Sequence, residues 1–166
     1  MAKPTTAKPT RRDLLRKTAA DSNKYLNATI RLCGGSDRER IGGKERNTYA
    51  TVADMNNIAV KGTMAHVIQL THGVRHTRDD YTDDELKRIA TLEILEGKAL
   101  ETYRPQGHEE IICLVAREIA KINEVLSKYE NETARIRRRK QITRVAGTRT
   151  NPRATLRPDE YHNRSN

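Results

Sequence analysis

The chain has 166 residues, a formal net charge of +10, and neither Phe nor Trp, so six Tyr supply every aromatic ring. A chain of this length makes one domain with tails, and a core of Leu, Ile, Val and Ala without bulky rings suits helices packed along seams, with self-association as extra burial. The cationic excess favours a polyanionic partner, since released counterions drive such binding. No apolar run approaches membrane-spanning length.

Residues 1–10 read MAKPTTAKPT, a near-repeat of Ala-Lys-Pro-Thr. The prolines block a helix and nothing there can be buried, so a flexible basic arm is expected. Thr10 or Asp13 can start a first helix reaching about Leu32, with Leu15, Ala19, Ser22, Leu26 and Ile30 on its apolar stripe. Arg11 and Arg12 stand at its start, where the helix dipole disfavours cations and a nearby phosphate would relieve them. They are candidate anion contacts. The polar residues that follow this arginine pair exclude an export signal, and a cytoplasmic protein is expected.

Residues 33–47 carry Gly34-Gly35 and Gly42-Gly43. A mobile loop or hinge is expected there. The Walker spacing is absent, so no nucleotide cradle is assigned. Residues 48–72 give a helical face of Tyr49, Val52, Ala53, Met55, Ala59, Val67 and Leu70, interrupted by Gly62. Thr48 is the expected cap. A short strand near residues 48–53 is the alternative, because Thr, Tyr and Val favour sheets. His72 and His76 are four apart but lack a third ligand, so no metal site and no cofactor are assigned.

Thr82-Asp83-Asp84-Glu85 is a capping box and opens a helix from Asp83 to about Tyr103. Leu86, Ile89, Leu92, Leu95, Ala99 and Tyr103 are its expected buried side, and its polar side is acidic. Pro105 and Gly107 turn the chain, so that the next helix can fold back antiparallel.

That helix, over residues 108–144, contains neither Gly nor Pro. Ile112, Val115, Ile119, Ile122, Leu126 and Tyr129 alternate steps of three and four, a heptad seam assigned to oligomerisation. Glu109 and Glu110 at its start complement the helix dipole. Residues 115–123, VAREIAKIN, resemble a helix of plasmid mobilisation accessory proteins, too short a match to assign a family. From residue 135 to 157 there are nine Lys or Arg and no acid. The candidate nucleic-acid contacts there are Arg135, Arg137, Arg138, Arg139, Lys140, Arg144, Arg149 and Arg153. Arginine suits bidentate phosphate contact or guanine reading. Residues 146–166 lose all periodicity and are expected to be a disordered basic tail.

These features give an all-α fold: a small helical bundle over residues 11–145 with one long C-terminal helix and flexible basic termini. Esterase-elbow, zinc-protease, Walker and dinucleotide motifs are missing, and no enzyme is expected. The expected function is nucleic-acid binding, DNA ahead of RNA, by a helical homo-oligomer such as a plasmid or phage accessory or regulatory factor. Two alternatives remain: a viral coat, nucleocapsid or scaffold subunit with basic arms on packaged nucleic acid, and a protein-interaction module that inhibits a host factor.

Overall fold

The computed structural model describes residues 8–36, 39–41 and 44–148. The fold is all-α. Five α-helices occur among the described residues: α1 (Arg11–Leu32), α2 (Thr48–Lys61), α3 (Ala65–His72), α4 (Asp83–Tyr103) and α5 (Gly107–Thr148). A 3-10 turn, Thr77–Asp79, precedes α4.

Local chemistry sets the helix ends. Thr10 caps α1 in a capping box with Asp13, and Thr82 caps α4 in one with Glu85. Gly62, at φ 77°, closes α2 by returning its N–H to the Ile58 carbonyl at 2.9 Å. Arg104 takes the left-handed position at the end of α4.

The helix directions follow from their bonds. Arg12 reaches Asp83, Ser22 reaches Glu93, and the Cys33 thiol reaches the Leu100 carbonyl, so α1 and α4 run parallel. Lys61 meets Glu85 near the start of α4, while Val52 packs with Leu100 near its end, so α2 runs antiparallel to both. The first half of α5 returns along α4, with Arg88 donating to Asn123 at 2.9 Å. The Gly107 N–H donates to the Cys33 carbonyl at 2.9 Å and ties the α4–α5 turn to the end of α1.

Two apolar clusters result. One joins Leu26, Ile30, Val52, Leu100, Ile111, Leu114 and Val115. The other joins Ala19, Ile68, Tyr81, Leu86, Ile89 and Ala90. Along α4 they are separated by the stretch between Ala90 and Leu100, which holds two fully buried glutamates, Glu93 and Glu96.

Four expectations are corrected. The short strand near residues 48–53 is absent: α2 begins at Thr48, and Asn47, not Thr48, caps it by accepting from the Ala50 N–H at 2.9 Å. Thr48 is buried and bonds His108 Nδ1 at 3.0 Å. The expected loop at 33–47 contains a hairpin instead, β1 (Glu39–Ile41) paired antiparallel with β2 (Lys44–Arg46). Its register places Glu39 opposite Arg46, Arg40 opposite Glu45 and Ile41 opposite Lys44. Leu95 and Tyr103 are exposed rather than buried. Three successive steps of three from Leu86 rotate about 180° around a helix, so Leu95 points away from the face that packs.

Two compact units divide the chain, Met1–Glu124 and Val125–Asn166. Residues 1–7 of the expected arm, Gly42-Gly43 and residues 149–166 of the expected tail lie outside the described residues, while the first three residues of that tail, 146–148, are helical as the end of α5. Among the described residues, no helix is long and apolar enough to cross a membrane.

Candidate nucleic-acid interface

The second unit offers the strongest cationic surface. Within α5, Arg135, Arg137, Arg138, Arg139 and Lys140 are all exposed. At about 100° per residue, Arg135, Arg138 and Arg139 share one side, together with Lys128 a turn or two earlier, while Arg137 and Lys140 lie on the other. The cations therefore ring the helix rather than form a single ridge. A helix carrying charge around its circumference can meet phosphates on both walls of a groove. Arg144 also lies in α5, at a position whose side chain is not described, and Arg149 and Arg153 fall outside the described residues.

The heptad seam is divided between the units. Val115 and Ile122 are buried within the first unit, and Ile112 and Ile119 pack against its apolar cluster. These four side chains therefore have partners within their own chain. Leu126 is half-buried, while Val125, Tyr129 and Ile136 are exposed. Three large apolar side chains on a charged helix form a stripe that water solvates poorly.

Arg11 and Arg12, the candidate contacts at the other end, belong to the first unit. Both are exposed on the first turn of α1. Arg12 pairs with Asp83 at 3.1 Å and donates to the Tyr81 carbonyl at 2.8 Å. Arg16 pairs with Asp79. Asp79 in the turn before α4 and Asp83 at its start thus relieve Arg16 and Arg12, a role the sequence offered to a phosphate.

Helices α2 and α3, joined across residues 62–64, have helix–turn–helix spacing. Helix α3 contains neither Lys nor Arg. Its Gln69 donates to the Arg75 carbonyl at 3.0 Å, and its His72 pairs with Asp80 at 2.9 Å. Two of the polar groups that a recognition helix would offer to bases are thus tied back to the chain, and α3 brings no cation of the Lys or Arg type to phosphates. This favours α5.

Other polar groups are structural. Lys61 bridges Asp80 at 3.0 Å and Glu85 at 3.1 Å. The Lys61 hydrogen bond holds the Asp80 carboxyl below the ordinary range, and against the effect of burial the Thr82 hydrogen bonds, with Lys61 after them, hold Glu85 below it. The Tyr81 phenol, raised by burial, donates to Asn57 at 2.5 Å. A cleft of about 480 Å³ is lined by Asp54, Met55, Ile58, Met64 and His108 among others. Its Asp54 accepts from the Ala65 N–H at 3.0 Å, and its His108 bonds Thr48 at 3.0 Å. Cys33 is buried and Cys113 exposed, both as free thiols. Among the described residues, no group of three or more His, Cys, Asp or Glu could hold a metal ion.

No family model matches the chain. A curated relative is DNA damage response protein C of Deinococcus radiodurans, 26% identical over 104 residues. The match covers 60% of this chain and 45% of the relative, so the chain spans less than half of the protein it resembles.

Proposed function

We propose that this protein binds nucleic acid, duplex DNA ahead of RNA, as a self-associating helical protein that catalyses no reaction. One observation carries the proposal: five exposed cations within residues 135–140 of one helix, with no acid among them. Side chains at such density repel one another, and a polyphosphate relieves that repulsion while releasing counterions. The printed name of the relative, a DNA damage response protein, supports DNA over other polyanions. The exposed stripe of Val125, Tyr129 and Ile136 supports self-association. In this role the protein holds or organises DNA for other factors, an accessory or regulatory task of plasmid, phage or chromosome.

The test is removal of residues 135–166. The shortened protein keeps its thermal transition and no longer retards duplex DNA at low salt. Undiminished retardation would place the interface elsewhere and refute the proposal.

A further inference from the structure

The stretch of α4 between the two apolar clusters holds two glutamates with opposite surroundings. Glu93 is surrounded by donors. Ser22 donates to it at 2.5 Å, Asn23 donates at 3.1 Å, and Arg78 forms an ion pair with it. Glu96, one turn later, has one polar neighbour: Asn56 of α2, whose Nδ2 donates to Glu96 Oε2 at 2.8 Å. The other half of each side chain, Asn56 Oδ1 and Glu96 Oε1, is buried without a partner. Both orphans are acceptors, if Glu96 is ionised. Each desolvated acceptor without a donor is costly, and one proton shared between the two would remove both costs at once.

We propose that Glu96 keeps its proton in the folded protein and donates it to Asn56 Oδ1, closing a carboxylic acid–carboxamide ring that locks α2 to α4 and opens when the proton leaves for solvent. The ring needs no further group, because the amide N–H already serves the second carboxyl oxygen. The charged groups around it leave the proton in place. Arg78, from the turn before α4, is engaged by Glu93, as are Ser22 and Asn23 of α1. Lys61 of α2 is engaged by Asp80 and Glu85. The α5 residue His108 bonds Thr48, at the other end of α2. Glu93, whose negative charge lies one turn away, opposes a second charge at Glu96. Burial first, and this repulsion with it, push the Glu96 carboxyl up to about 8, against the pull of the Asn56 hydrogen bond.

A carboxyl raised on folding is protonated in the native state while the unfolded chain is ionised. The native state therefore loses stability as pH rises from the ordinary carboxylate range to about 8, and no further change comes from this group above that. Glu96→Gln supplies the same donor and acceptor without a titrating proton. Denaturant unfolding of the full chain and of E96Q, compared across this range, tests the lock. The ratio of their folding constants is expected to change by up to about tenfold per pH unit in favour of E96Q, then to level off. A ratio that stays constant with pH overturns the proposal. Carbon-13 carboxyl resonances of the unmutated protein give a second reading that needs no variant. One glutamate should still be protonated at neutral pH, and finding every glutamate ionised there overturns the proposal equally.

Discussion

The first unit and the described helix of the second distribute their side chains in opposite ways. In Met1–Glu124, charge is turned inward or paired: Glu93 and Glu96 are buried, Arg12 and Arg16 meet Asp83 and Asp79, and Lys61 bridges two acids. From Val125 on, three large apolar side chains and five clustered cations face solvent. Both apolar clusters lie in the first unit, although Leu32 and Leu70 there are exposed, whereas the described helix of the second unit contributes to neither cluster. A domain core can absorb ionisable groups where a neighbour satisfies each one, as Arg78 satisfies Glu93. An exposed apolar stripe has no such internal remedy.

The contrast can be broken first in the core. Leu100→Ala removes a fully buried side chain shared by α1, α2, α4 and α5 and should cost about 2–5 kcal/mol in urea unfolding. Gly97→Ala comes next. A Cβ there would sit 2.4 Å from the Tyr25 ring, and repacking should cost about 1–3 kcal/mol. Thr82→Ala removes the cap of α4, for a loss of about 1 kcal/mol by the same measurement. The smallest effect on stability belongs to the second unit. Replacing Val125, Tyr129 and Ile136 together with Ser should shift unfolding by under about 1 kcal/mol and reduce the sedimenting mass to that of one chain. A multi-kcal loss without a change of mass would mean that the stripe belongs to the core.

Much of the fold was legible where local chemistry decides it. The capping box at Thr82 marks the start of α4, Thr10 or Asp13 brackets the start of α1, and Pro105 with Gly107 marks the turn into α5. What depended on tertiary partners was not legible. Glu93 and Glu96 read as part of an acidic solvent face, because nothing in their spacing announces Arg78, Ser22 or Asn56, which lie far away in the chain or on other elements. His108 read as part of a polar helix start, yet it is buried against Thr48. The seam from Ile112 to Tyr129 read as one continuous surface, and its first half is consumed inside the bundle. The hairpin at 39–46 has no alternating apolar pattern to reveal it. The cations of α5 were legible because they need no partner within the chain to be recognised.

The interface itself is tested most directly by the salt dependence of duplex DNA binding, measured by fluorescence anisotropy on the full chain and on Arg135→Gln/Arg138→Gln. Losing two phosphate contacts should reduce the slope of log affinity against log salt by about 1.8, with the thermal transition unchanged. An unchanged slope in the double variant, or no binding by the unmutated protein at low salt, would contradict DNA binding through this end of α5.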